Sequence, residues 1–363
     1  MHIVLSGYYG FDNVGDEAIL LSIITALRKE QPDVAITVLS NNPEVTAKTY
    51  GVAAVNRWKL GEISKVLKVA DGLISGGGSL LQDQTGMKTI PYYCLVMRIA
   101  KFRKTPVFVY AQGMGPINHP LSRKLTQFTL DRVERITLRD EASKALLEEM
   151  GVRARAGKPI KLVPDPVIGL DCLAFRSEWL ERQAYTDGYL SVSVRDWPSE
   201  VDFLAKIADG LDRLAEAGHT IVFVPMHDIH DEKTSYKLVQ MMKQKSIVAP
   251  GNVSIEEKVA IIGQSDLLIG MRLHSLIFSA IQATPFIALS YDPKIDAFAD
   301  IAGQPNLGHV EQDDWDGVAL FEQASAMLAD RAALSEQLRA QVEGLQAAAQ
   351  ETAVLALETF RGV

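Results

Sequence analysis

Short apolar runs alternate with amphipathic stretches along most of the chain. HIVLSG (2–7) reads as a buried strand. Asp16 to Glu30 follows with helical spacing: Ala18, Ile19, Ile23, Ala26 and Leu27 fall on one face. Asp16 and Glu17 suit the positive end of that helix. AITVLS (35–40), GLISGG (72–77), PVFVYAQ (106–112) and RITLRD (135–140) are further strands, each separated from the next by helical sequence. Continuous apolar strands alternating with helices predict a parallel sheet covered on both faces.

The period lapses near Pro164–Asp165–Pro166, and residues 165–187 read as a linker. Alternation resumes with YLSVSVR (189–195), a helix near 199–216, TIVFVPM (220–226) and helices near 232–244 and 254–263. DLLIG (266–270), a helix from about 271 to 282, and PFIALSY (285–291) complete the set. Residues 313–360 are helix formers without a strand, so they lie across the sheet or run back to the first domain. The expected fold class is α/β. A Rossmann-like domain over 1–172 takes a returning helix at about 340–363, and a second such domain covers 173–339. Two domains of this kind put their strand C-terminal ends opposite each other across a cleft, and ligands bind at those ends.

Composition narrows the classes. The 363 residues are 47% hydrophobic and 23% charged, which excludes a disordered or collagen-like chain. Cys94 and Cys172 form no Cys-x-x-Cys pair, so neither a disulfide framework nor a cysteine zinc site is expected. The start, MHIVLSGYYG, has no basic leader, and no apolar run approaches the ~20 residues of a membrane span, so a cytoplasmic protein is expected. Net charge is −8 and uneven: residues 1–175 hold 22 Lys+Arg against 17 Asp+Glu, and residues 176–363 hold 15 against 28. The acidic total argues against nucleic-acid binding.

Chemistry is therefore sought in loops that follow strands. Ser6 to Asp16 follows the first strand and opens a helix. Its three glycines let a ligand approach the backbone, and free N–H groups favour an anion or a sugar hydroxyl. The glycine spacing fits neither a dinucleotide fingerprint nor a P-loop. Asp12, Asn13 and Asp16 are its candidate contacts, although Asp12 or Asn13 can equally cap the loop and Asp16 the helix. Gly76-Gly77-Gly78-Ser79 reads as a turn opening a helix, with a ligand role open to Gly77 and Gly78. Gln112-Gly113-Met114-Gly115-Pro116 is a second rim, with Gln112 as polar contact.

Arg139 and Arg195 each end a strand, where a planar guanidinium suits carboxylate or phosphate. Gly270-Met271-Arg272-Leu273-His274-Ser275 places Arg272 and His274 in the first turn of a helix. That is a poor place for a cation unless an anion binds. A histidine that charges when a phosphate arrives is suited to act as a general acid. His227 and His230, among Asp228, Asp231 and Glu232, resemble metal ligands but more often form a polar cleft edge, and no metal is assigned. Lys294 follows the last strand. Arg195, Arg272, His274 and Lys294 thus crowd positive charge into the acidic half. The inference is a small di- or trianionic donor in the second domain.

Gly10-Phe11-Asp12-Asn13-Val14-Gly15-Asp16-Glu17, Ser75-Gly76-Gly77-Gly78, Gln112-Gly113-x-Gly115-Pro116, Arg139-Asp140, Ser193-Val194-Arg195 and Arg272-Leu273-His274 together resemble the polysaccharide pyruvyl transferase family. The likeness runs in order over about residues 1–300 and is nearest the bacterial CsaB-type branch. It implies a GT-B-like fold of two facing Rossmann-type domains, an acceptor domain first and a donor domain second. It implies transfer of pyruvate from phosphoenolpyruvate (PEP) to a sugar as a cyclic ketal, the sugar being N-acetylmannosamine of a lipid-linked cell-wall precursor. No cofactor is implied, since PEP is a substrate. His274, Asp12 and Arg139 would be catalytic, and Arg195, Arg272 and Lys294 would bind the donor. Asp12, Asn13, Asp16, Gly77, Gly78 and Gln112 would bind the acceptor, with Asp12 or Asp16 taking the hydroxyl proton.

A lipid-linked acceptor raises the question of a membrane surface. Residues 88–104 mix Tyr92, Tyr93, Leu95, Val96, Met97 and Ile99 with five basic residues, as an interfacial helix does; a domain helix with a basic end is the other reading. Two competing functions remain: a GT-B glycosyltransferase or epimerase using a nucleotide sugar, and a non-catalytic anion- or sugar-binding protein.

Overall fold

A computed structural model describes residues 1–84, 86–154, 157–183, 188–227 and 229–362. The chain divides into two compact units: Met1–Leu170 with Leu345–Val363, and Asp171–Gly344.

The first unit runs β1 (His2–Ser6), α1 (Val14–Glu30), β2 (Ala35–Ser40), α2 (Pro43–Tyr50), β3 (Ala53–Asn56), α3 (Leu60–Val69) and β4 (Gly72–Gly76). It continues with α4 (Thr89–Phe102), β5 (Val107–Gln112), α5 (Pro120–Leu130), β6 (Arg135–Leu138), α6 (Glu141–Glu149) and β7 (Lys161–Leu162). Its described strands form a parallel sheet in the order β3-β2-β1-β4-β5-β6-β7. The apolar runs read from sequence are its centre: Ile3, Val4, Leu5, Leu73, Ile74, Val107, Phe108 and Val109 are wholly buried. Each such side chain removed from water contributes about 1.5–3 kcal/mol. The edge strands β3 and β7 are only partly covered.

The second unit runs α7 (Glu178–Gln183), β8 (Leu190–Ser193), α8 (Phe203–Glu216), β9 (Ile221–Phe223), α9 (His230–Met241), β10 (Ile247–Val248) and α10 (Ile255–Gly263). Then come β11 (Leu267–Gly270), α11 (Leu273–Ile281), β12 (Phe286–Ser290), α12 (Pro293–Ala302), β13 (Asn306–His309), α13 (Gly317–Ala329) and the start of α14 (Arg331–Arg361). Its described strands, also parallel, lie in the order β10-β9-β8-β11-β12-β13. A core of Leu190, Val192, Ile207, Leu211, Phe223, Ile269 and Leu289 fills the space between this sheet and its helices.

From Leu345 onward α14 belongs to the first unit. Phe360 packs over Gly72, where an added Cβ would lie 2.4 Å from its ring. Lys161 pairs with Glu351 and Lys29 donates to Gln350. The stretch read as a linker contains a 3₁₀ turn at Pro166–Gly169 and α7; its residues 184–187 lie outside the described residues.

The segment 88–104 is α4, and its apolar side is turned inward. Ile90, Tyr93, Cys94, Val96, Met97 and Ala100 are buried in the core of the first unit. Of the apolar residues read there, Tyr93, Val96 and Met97 thus cover the sheet, as in a domain helix with a basic end. Leu95 and Phe102 remain exposed. Among the described residues, no helix is long and apolar enough to cross a membrane.

Candidate functional site

Strand order decides where each unit can hold a ligand. In the first sheet the order reverses between β1 and β4; in the second, between β8 and β11. Loops leaving such neighbouring strands diverge and open a crevice.

In the first unit the loop after β1 is tied down from within. Tyr9 is wholly buried and its hydroxyl donates to the Gly76 carbonyl at 3.1 Å, fixing the loop to the end of β4. Gly10 has φ +77°, and a Cβ there would stand 2.2 Å from Ser40 Oγ, so only glycine fits. Asn13 caps α1: its side chain accepts from Gly15 N at 3.0 Å. Asp12, at φ +58°, is exposed.

Asp16 sits in the first turn of α1 against the turn after β4; a Cβ on Gly78 would approach its Oδ1 to 2.8 Å. Burial, reinforced by the neighbouring Glu17 and by Asp165, pushes its carboxyl up to about 7, while Arg139 and Arg57 pull the other way. Glu17 is engaged elsewhere, accepting from Tyr50 Oη at 2.6 Å and Gly10 N at 2.7 Å.

Gly77 and Gly78 both have φ +64°, and the turn opens no helix; α4 begins only at Thr89. The chain instead continues alongside the loop after β5. Gly113 N donates to the Gly78 carbonyl at 2.9 Å, Gly115 N to the Leu81 carbonyl at 2.8 Å, and Leu81 bridges Met114 in parallel. Gln112 is wholly buried, its amide donating to Ser75 Oγ at 3.0 Å. The register of β5 shifts between Val109 and Gln112, which turns Gln112 inward, so it braces the turn rather than lining a rim.

Arg139 was expected at a cleft mouth. It is largely buried, ion-paired with Asp165 and 3.4 Å from Ser79 Oγ, and Gly113 leaves the room for its guanidinium. Sequence reasoning missed Asp165, which it had read only as part of a linker. It also missed Arg57, just past β3. Arg57 is 3% exposed and lies within 6.0 Å of five ring centres: Tyr92 at 4.4 Å, Phe11 at 5.1 Å, Trp58 at 5.2 Å, Tyr93 at 5.4 Å and Tyr8 at 6.0 Å. Nη1 donates to the Gly7 carbonyl at 2.8 Å and Nη2 to Tyr93 Oη at 3.2 Å. Among the described residues it makes no ion pair, so ring faces and a carbonyl stand in for a carboxylate. Trp58 (59% exposed) and Tyr8 (40%) turn ring surface to solvent beside this cation. An Arg-Trp dipeptide flanked by Tyr-Tyr 35 residues on was the available signal, but nothing local joins the two.

In the second unit the loops after β8 and β11 bring their cations to the switch point. Arg195 lies 4.7 Å from the Tyr291 ring centre and 5.2 Å from that of Trp197, and its Nη1 donates to Tyr291 Oη at 3.1 Å. Among the described residues it makes no ion pair. Arg272 is the N-cap of α11, and its carbonyl accepts from Ser275 N. His274 follows in the first turn, partly buried. Lys294 lies in the first turn of α12, behind the Asp292 cap.

Arg272 corrects the picture of an uncompensated cationic cluster. Its Nε and Nη2 donate to the two carboxylate oxygens of Asp231 at 2.9 and 2.5 Å, and Asp231 is wholly buried in the first turn of α9. A bidentate pair of this kind fixes the guanidinium plane and cancels its charge. His227 and His230 lie 4.8 Å apart between ring centres, tilted by 56°. Asp228 lies outside the described residues. Among the described residues no group of three His, Cys, Asp or Glu is arranged to hold a metal ion.

Comparison with known proteins agrees with this architecture. The amylovoran biosynthesis protein AmsJ of Erwinia amylovora is 22% identical over 94% of this chain and 96% of its own. Among solved structures, a UDP-N-acetylglucosamine 2-epimerase of Listeria monocytogenes superposes with a TM-score of 0.70 at 10% identity, covering 100% of this chain and 97% of that one. The corresponding epimerase of Neisseria meningitidis gives 0.65 at 12% identity with full coverage of both chains. The ADP-heptose heptosyltransferase II of Escherichia coli gives 0.52 at 15% identity, covering 91% of this chain and 99% of that one. These likenesses establish a GT-B-like α/β fold and no more. The sequence profile of polysaccharide pyruvyl transferases matches residues 13–293, from the cap of α1 to the start of α12. The chain belongs to the polysaccharide pyruvyl transferase family and is a pyruvyltransferase enzyme.

Proposed function

We propose that the donor is PEP and that the acceptor is a sugar of a lipid-linked cell-wall precursor, N-acetylmannosamine as in CsaB-type enzymes. The products are then a cyclic pyruvate ketal and phosphate. What supports this reading is the position of Arg195, Arg272, His274 and Lys294 just after β8, β11 and β12, three neighbouring strands of the second sheet. PEP carries a phosphate and a carboxylate on three carbons, which calls for several donors and a proton source together.

In this mechanism His274 protonates the methylene carbon of PEP, which becomes the methyl group of the ketal. An acceptor hydroxyl adds to the central carbon and gives up its proton. The C–O bond to phosphate breaks with the electron pair leaving on phosphate. The neighbouring hydroxyl closes the ring and loses its own proton. Of the two hydroxyl protons, one replaces that given by His274 and the other leaves with phosphate. Arg195 and Lys294 hold the anionic groups. Arg272, held in plane by Asp231, presents its remaining N–H edge as a fixed donor rather than as net charge.

The test is phosphate release from PEP, run with N-acetylmannosamine-terminated and galactose-terminated lipid-linked disaccharides. Acceptor-dependent release is expected; release without acceptor, or none with either disaccharide, overturns the reading. A UDP-sugar that protects the fold against heat while PEP does not would favour the nucleotide-sugar alternative.

The acceptor's place in the first unit is supported by the open rings of Trp58 and Tyr8 beside Arg57. An apolar sugar face covering a ring of this kind contributes about 1–2 kcal/mol. Trp58→Ala is therefore expected to raise the KM for the disaccharide roughly tenfold, with the KM for PEP within twofold of wild type. Initial rates with each substrate varied in turn check this.

A further inference from the structure

We infer that Asp16 is the group that takes the proton from the attacking acceptor hydroxyl, and that the Arg139–Asp165 pair is a positioning device for it. This rests on the pyruvyl-transfer reading and identifies its base.

The first unit offers four carboxylates near its switch point, and their engagements differ. Glu17 accepts from Tyr50 Oη and Gly10 N. Asp165 is held by Arg139 and by Val167 N at 3.1 Å. Asp12 is exposed to water on the outer loop, away from the covered end of the sheet. Asp16 alone is partly buried and, among the described residues, accepts no hydrogen bond. It stands where β1 and β4 diverge, and its Oδ1 is pressed against Gly78, a position that tolerates no side chain. A half-covered carboxylate that no protein donor occupies can take a hydrogen bond from a ligand. A sugar hydroxyl supplies it, and the exposed rings of Tyr8 and Trp58 lie beside the same loop.

The charged and titratable groups around Asp16 are Glu17 on its own helix, Arg139 beyond β6, Asp165 before the 3₁₀ turn, Arg57 beyond β3, Tyr8 and Tyr9 on the β1 loop, and Tyr93 on α4. Burial and Glu17 raise its proton affinity; Arg139 lowers it, and Asp165 works against Arg139. A carboxylate tuned in this way to near neutrality accepts a proton far better than one at its ordinary value. In the step itself the hydroxyl O–H bond breaks and its electron pair forms the new C–O bond. The proton moves to an Asp16 oxygen, from which it leaves with phosphate or to water.

The pH profile of kcat/KM for acceptor-dependent phosphate release tests the assignment. Below about pH 7 Asp16 is protonated and cannot accept, so wild-type activity is expected to rise through about 7 and level off above it. Asp16→Asn is expected to lose about 10²–10⁴-fold and the rise with it, and Asp16→Glu to recover part of the rate. Asp165→Asn is expected to move the rise to lower pH, because Arg139 then acts on Asp16 unopposed; Arg139→Gln is expected to move it to higher pH. A purely structural pair would lower the rate without moving the profile. Asp12→Asn is expected to keep the rise near pH 7 whatever its rate. A rise that disappears in Asp12→Asn and persists in Asp16→Asn overturns the assignment.

Infrared difference spectra of wild type against Asp16→Asn, taken across pH without substrate, give a readout independent of transfer. A protonated-carboxyl band that vanishes with a midpoint near 7 is expected, and a midpoint near 4 overturns the proposal. If no acceptor releases phosphate, the pyruvyl-transfer reading fails while this titration still decides the state of Asp16.

Discussion

His274→Ala should slow acceptor-dependent phosphate release by about 10²–10⁴-fold, the range that a positioned general acid contributes. In the proposed reaction the effect belongs in kcat, because protonation of the methylene carbon is a transition-state event, while PEP binding is assigned to Arg195, Arg272 and Lys294. His274 begins the first turn of α11 just after a strand, and its backbone position depends on β11 and on the Arg272 cap rather than on the imidazole. The variant should therefore melt close to wild type. Single-turnover rates with PEP in excess check the kinetic claim. A variant turning over within tenfold of wild type would remove His274 from the reaction.

The largest effect on stability is expected at Asp231. Replacing one partner of a buried ion pair costs about 3–5 kcal/mol, since the other charge is left without compensation. Asp231 is wholly buried, whereas Arg272 keeps about a fifth of its side chain exposed and can recover some water, so the lower end of that range applies. For a unit of this size, Asp231→Ala should lower the melting temperature by about 6–12 °C. Calorimetry of the whole chain reads this as an earlier transition of the second unit. The double variant Asp231→Leu with Arg272→Met should regain most of the loss, because a matched apolar pair replaces both charges. It should still bind PEP poorly, which separates the structural service of the pair from its service to the ligand.

How much of this could be read in advance follows from where each signal lies along the chain. The central strands declared themselves because parallel strands buried on both faces are continuous apolar runs, as with AITVLS over β2. The edge strands β3, β7, β10 and β13 did not: AAVN and NLGH are short and half-covered, and carry no run to detect. Loops at strand ends were also legible: Arg195 and Arg272 fall on them, and His274 and Lys294 lie in the first turn of the helix that follows. Their partners were not. Asp231 lies 41 positions before Arg272, and Asp165 lies 26 after Arg139. No local pattern links such pairs, so charge that looks excessive in sequence can be cancelled in space. Asp12 and Asp16 were equivalent in sequence, four positions apart in one glycine-rich loop. Burial against Gly78 separates them, and burial is a property of the folded sheet.

The pairing of the Gly77–Leu81 stretch with Gly113–Gly115 has a consequence for the acceptor binding proposed above. These residues lie beyond the formal ends of β4 and β5, yet their amides and carbonyls bond each other as if the sheet went on. The rim is thus a stiff shelf standing ready before any visitor comes, and little disorder remains to be frozen out on arrival. Discrimination among acceptors then falls to the fit of the newcomer, since the shelf has scarcely any freedom to reshape itself around a poor one.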